Sequence, residues 1–207
     1  MNQTKVSTEL KLKGRDFITL GIFSVIFIIL YMACVMLMSM TAYTHLLSCA
    51  LGSLVAAPVY MLLRVKTPKT GAIIIFGIVF GVVLFAMGSG WPIFVCSVVG
   101  AAIAELIART SSYKSYTKET IGYCIMMLLI AVGSFAPLIA MRDQYLQIAS
   151  SNGVDADYYQ QIAEVTTGPF LVIALVVTIV TALIGAFIAR GMFKKHFVKA
   201  GLIKEVK

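Results

Sequence analysis

An ionisable side chain inside an apolar stretch is the first place to look for chemistry, because keeping it there is costly and is usually tied to function. Glu105 is the only acid within the long apolar runs of this chain. It precedes Arg109 by four residues, the spacing at which two helical side chains form a surface ion pair. That pair is the expected use of Glu105, and a proton-transfer or gating role is the alternative. Coupled carriers place polar groups near the bilayer midplane, and these runs hold few. His45 and Ser89 are a base and a hydroxyl that a fold can bring together. No acid partner, oxyanion motif or HExxH pattern accompanies them, so a non-catalytic protein is expected.

Soft and aromatic side chains collect near one set of run ends: Met36, Met38, Met40, Tyr43, His45, Met87, Trp91 and Met141. Aromatic residues at that depth form interfacial belts, and methionines fill irregular gaps. The functional reading is a pocket for a flat, mainly apolar ligand. The candidate ligand-binding set is Met38, Tyr43, His45, Met87, Trp91 and Tyr145. His45 is then a candidate axial ligand to haem iron carried by that ligand; no intrinsic metal or cofactor is expected. Cys34, Cys49, Cys96 and Cys124 lie in apolar runs without CxxC spacing. They read as small buried hydrophobes rather than disulfides or a zinc site.

The elements that must position these groups are spanning helices. Of the 207 residues, 60% are hydrophobic and 13% charged, about half the charged share of a soluble domain. A spanning helix needs about 20 mostly apolar residues. The runs lie at about 17–39, 43–63, 71–88, 90–108, 120–140 and 166–189, and consume the chain 1–207 as one membrane domain. The fold class is all-α: an integral membrane bundle of six helices. Residues 1–16 are polar and basic, and the run after them is too long for a cleavable signal; a retained signal anchor is expected. Pro92 suits a first helical turn. Pro58 and Pro137 sit within runs and should kink them.

The net charge of +8 is a matter of topology rather than of nucleic acid, since 16 of the 17 Lys and Arg fall on alternate connecting segments. Arg142 alone falls on the other side. The positive-inside rule places both termini in the cytoplasm, in a cell (plasma) membrane. The long outer connection, about 141–165, contains Asn152-Gly153, a helix stop, and Asp155, a helix cap. The fifth helix should project outward, turn at Gly153 and return through a short helix, either as a lid over an outward cavity or as a solvated connector. Small residues form stripes at Gly77/Gly81, Gly100/Ala104/Ala108 and Ala182/Gly185/Ala186/Ala189. Such stripes let helices approach closely, within the chain or against another subunit. His196, in Lys194-Lys195-His196-Phe197, belongs to a basic tail that faces headgroups or a partner.

Six short helices with almost no intramembrane charge resemble the substrate-binding S-components of energy-coupling factor (ECF) transporters. The opening Leu12-Lys13-Gly14-Arg15-Asp16-Phe17-Ile18-Thr19-Leu20-Gly21-Ile22-Phe23 resembles the family start, in which a basic-acidic pair precedes a Gly-Ile-Phe helix. The end, Lys194-Lys195-His196-Phe197-Val198-Lys199-Ala200-Gly201-Leu202-Ile203, is similar to the terminal signature of the Trep_Strep (MptD-like) group. The resemblance implies an S-component-like bundle that captures a micronutrient from outside. It implies docking on a membrane T-subunit with two ATPase subunits, whose ATP hydrolysis topples the S-component and releases ligand inward. It also implies a small-residue docking surface on the first helix. Gly21 fits that role; Val25 stands where a second small residue belongs, and Ser24 is the substitute. Gly100 and Ala104 complete the candidate docking set. Haem or a related tetrapyrrole is the leading ligand and a small vitamin or nucleobase-like compound the alternative. A free-standing secondary carrier or a membrane enzyme is the alternative of a different class.

Overall fold

The computed structural model describes residues 11–144, 147 and 156–193, with the backbone alone at 156 and 159. The readings on Tyr145, Asn152, Gly153, Asp155 and His196 lie outside the described residues. Helix α1 is Gly14–Met38, α2 Ala42–Leu46, α3 Ser48–Lys66, α4 Ala72–Leu84, α5 Trp91–Arg109, α6 Tyr116–Ala140, α7 Ala156–Thr166 and α8 Pro169–Met192. Among the described residues, six helices are long and apolar enough to cross a membrane: α1, α3, α4 with its π-helical extension to Ser89, α5, α6 and α8. The chain is thus an all-α bundle of the expected class. In hydrocarbon a helix satisfies its own backbone, which is why the apolar runs take this form.

The spanning helices close into a ring. Going round it, α1 meets α3, then α8, α6, α5 and α4, which returns to α1; α3 also touches α6 across the middle. The middle is filled by aromatic rings. Phe27 meets Phe76 edge-on at 5.0 Å between centroids, Phe76 meets Tyr60 at 5.6 Å, and Tyr60 lies against Tyr123 at 4.7 Å. The Tyr123 hydroxyl donates to the Ser53 carbonyl at 2.7 Å, and that of Tyr31 to Cys49 Sγ at 3.3 Å. Cys34, Cys49 and Cys124 are buried, as their sequence setting suggested.

The small-residue stripes are spent inside this chain. A Cβ added at Gly77 would meet Ala101. One at Gly100 would lie 3.1 Å from Met126 Cα, and one at Gly185 2.7 Å from the Leu54 carbonyl. Gly122 packs on Ala104. These approaches join α4 to α5, α5 to α6, and α8 to α3. The exposed surface is apolar, with Ile22 and Ile29 on α1 and Val176 and Phe187 on α8, as a lipid-facing surface must be.

Helix boundaries depart from the runs most in the second and the fifth. The second run is two helices. Thr41 caps α2, its Oγ1 accepting the Thr44 N–H at 3.2 Å, and α3 starts only at Ser48. The fifth spanning helix starts four residues earlier than its run, at Tyr116, with Ser115 Oγ accepting the Lys118 N–H at 3.4 Å. It stops at Ala140, where Met141 (φ −136°, ψ 36°) breaks the helix before Arg142–Gln144 resume it. Pro58 and Pro137 are within helices and Pro92 opens α5, as read from sequence.

Candidate functional site

The two ends of the bundle differ in chemistry. Arg15, Lys66, Lys69, Arg109, Lys114 and Arg190 lie at the end where α1 and α6 begin and α3, α5 and α8 finish. The opposite end carries the short helices α2 and α7, which pack on each other.

Ser39, just past the end of α1, receives both caps. Its backbone carbonyl accepts the Tyr158 hydroxyl of α7 at 2.8 Å. Its Oγ donates to the Val35 carbonyl at 2.7 Å and lies 3.1 Å from His45 Nδ1 of α2. The Ser39 proton is therefore used on Val35, which makes His45 the donor at Nδ1 and leaves Nε2 as its lone-pair nitrogen. The His45 ring stands edge-on to Tyr158 at 6.3 Å. Burial lowers the His45 pKa and favours the neutral ring. Beside it Tyr43 meets Phe170 at 5.4 Å. Ile162 and Ala163 of α7 are buried, so this helix is packed onto the bundle.

Of the candidate ligand-binding set, Tyr43 and His45 share α2, and Met38 is half-buried at the end of α1 next to Ser39. Met87 is exposed on the separate turn between α4 and α5, and Trp91 is exposed at the first position of α5. That turn reverses at Gly88 (φ 93°) and Gly90 (φ 80°), a backbone region open to glycine. Ser89 belongs to the same turn, and the hydroxyl that bonds His45 is that of Ser39 instead.

The basic end is a charged clamp that the sequence reading missed. Arg64, 3% exposed, donates from Nε to Glu119 Oε2 at 3.0 Å and from Nη2 to Oε1 at 3.2 Å. Its Nη1 donates to the Thr67 carbonyl at 3.0 Å, and its guanidinium lies 5.4 Å from the centre of the Tyr113 ring. The Tyr113 hydroxyl donates to Glu105 Oε1 at 2.6 Å; burial and that carboxylate push its pKa up to about 12. Arg64 sits inside the apolar Met61–Val65 stretch, and that placement was the available signal. Glu119 escaped notice because the run was read as starting one residue later.

Glu105 is not paired with Arg109. It is 1% exposed, and its Oε1 and Oε2 accept the Gly71 and Ile73 N–H groups at 2.9 and 3.2 Å. It caps the start of α4, where a carboxylate meets unsatisfied amides and the positive helix end. That use takes precedence over the exposed pair because buried amides must be satisfied.

The docking set divides. Gly21 is exposed on the outer face of α1 with open space around it. Ser24 faces inward and is buried, so it is not on that surface. Gly100 and Ala104 are likewise buried, holding α5 on α6. Three of the expected docking residues therefore serve internal packing.

A family model described as "Hypothetical bacterial integral membrane protein (Trep_Strep)" matches residues 14–199. The chain belongs to this family. The match runs from the first residue of α1 through the spanning helices, so the ring, the cap and the clamp all fall within the Trep_Strep region. No curated protein and no solved structure matches the chain.

Proposed function

We propose that this Trep_Strep protein is the substrate-binding S-component of an energy-coupling factor importer. The observation that carries the reading is the polarity of the bundle. A two-helix cap sits at one end, a buried ionic clamp closes the other, and aromatic rings fill the middle. Ligand would enter at the capped end, beside Met38, Tyr43 and His45, and would leave only when the clamped end is driven open. A T-subunit and two ATPase subunits would supply that work. Gly21, on the open face of α1, supports docking through that helix. By the positive-inside rule the clamped end is cytoplasmic, in the plasma membrane. Cysteine labels at Lys114 should then react from inside and at Met40 from outside; the reverse pattern would invert the assignment.

The ligand favoured by this end is flat and apolar, with haem first. Burial of a planar apolar molecule gains about 25 cal/mol per Å² removed from water, and His45 Nε2 is a lone-pair donor of the kind that binds haem iron. Haemin titrated into the purified protein should give a Soret band that shifts and weakens in His45→Ala and is unchanged in His196→Ala. An identical spectrum in His45→Ala would remove His45 from the iron. No binding of any tetrapyrrole would end the haem reading, and a small vitamin or nucleobase-like ligand, sought by mass spectrometry, would replace it.

A further inference from the structure

Arg190 lies in the last turn of α8 at the basic end, and its setting is unlike that of Arg64. Its guanidinium carbon lies over the Tyr116 ring, 5.4 Å from the centroid. The ring is fixed, because the Tyr116 hydroxyl donates to the Ala186 carbonyl of α8 at 2.6 Å. Arg190 Nε is buried and has no hydrogen-bond acceptor among the described residues. The ion pairs of those residues, Arg64–Glu119 and Lys69–Asp16, do not include it. A preorganised guanidinium with a buried, unused N–H calls for an anionic acceptor, since an unmet buried donor is costly.

The neighbourhood says which anion. Phe187, one turn back on α8 and on the same face, is 68% exposed and forms part of the apolar surface that faces hydrocarbon. The site therefore offers a phosphate-binding fork at headgroup depth directly beside a wall for acyl chains. We infer that Arg190 and Tyr116 form a binding site for the phosphodiester headgroup of a membrane phospholipid, wedged between α6 and α8. Nothing in this inference depends on the importer reading.

The test is native mass spectrometry of the full chain extracted from nanodiscs of phosphatidylglycerol. Wild-type protein should retain a phosphatidylglycerol molecule through detergent exchange. Arg190→Gln should lower retention by about tenfold, the loss expected from a charge-assisted bond. Arg190→Lys keeps the charge but not the planar fork, and should also retain less; it serves as the second variant should the glutamine form unfold. Lys66→Gln, an exposed cation at the same end, should retain lipid as wild type does. Equal retention by wild type and both Arg190 variants would overturn the site. Equal loss in Lys66→Gln would also overturn it, because diffuse charge would then explain binding. Displacement of the lipid by millimolar inorganic phosphate would assign the site to the free anion and overturn the lipid assignment.

Discussion

Arg64 on α3 holds Glu119 on α6 through two hydrogen bonds, of 3.0 and 3.2 Å, across the middle of the helix ring. Both side chains are buried. Removing one partner leaves the other as an uncompensated buried charge, which costs about 3–5 kcal/mol. Glu119→Leu alone should therefore lower unfolding stability in detergent by that order. The double variant Arg64→Met with Glu119→Leu should recover much of it, because an apolar pair of similar volume avoids desolvation. A double variant no more stable than the single one would show that the clamp contributes more than charge neutralisation.

His45 gives the cap a pH dependence whose sign follows from burial. Its folded pKa lies below the ordinary 6.5. The unfolded cap then binds the proton more readily, so the stability contribution is complete above 6.5 and is lost as pH falls from there toward the folded pKa. Amide exchange in Ala156–Thr166, corrected for its intrinsic rate, should quicken between about pH 7.5 and about pH 5.5. His45→Asn should remove most of that change. A cap equally protected at both pH values in the wild type would separate α7 from His45.

Glycines on inner and outer faces should respond oppositely to enlargement. A Cβ at Gly133 would lie 2.7 Å from Cys96 Cβ and 2.9 Å from Ile93 Cα, both on the facing helix. Gly133→Leu should destabilise the bundle by about 1–3 kcal/mol or prevent folding. Gly21→Leu meets open space. It should leave stability and ligand binding unchanged while blocking assembly with a T-subunit, since helices that meet through small residues are held apart by a large one. Assembly of Gly21→Leu at wild-type levels would move the docking surface off this part of α1.

The sequence disclosed the spanning helices because hydrocarbon demands long apolar runs, and it disclosed the bundle's polarity because basic residues collect on alternate connecting segments, and so at one end. Pro92 marked the start of its helix through backbone chemistry. What stayed hidden was set by pairing in space. Glu105 and Arg109 have a helix-pair spacing, yet Glu105 turns to the amides of Gly71 and Ile73, more than thirty positions away. Arg64 and Glu119 are 55 residues apart and join no local pattern. The short helix α2 was invisible because Leu46, Leu47 and Ser48 do not interrupt hydrophobicity; the Thr41 cap decides it. Gly100 and Ala104 are packed against α6 within the chain, and a small-residue stripe does not itself say which helix lies against it. Ser39 and Tyr158 were unreadable as a pair, being 119 residues apart.

The central claim is that this chain captures a ligand alone but moves it only with ATP-hydrolysing partners. The direct measurement is uptake of labelled ligand into proteoliposomes, haemin being the first to try, with the protein reconstituted alone or with a T-subunit and two ATPase subunits. The account predicts stoichiometric binding without accumulation for the single chain, and ATP-dependent accumulation for the assembly. Sustained accumulation by the single chain under an ion gradient would contradict it and make the protein a secondary carrier.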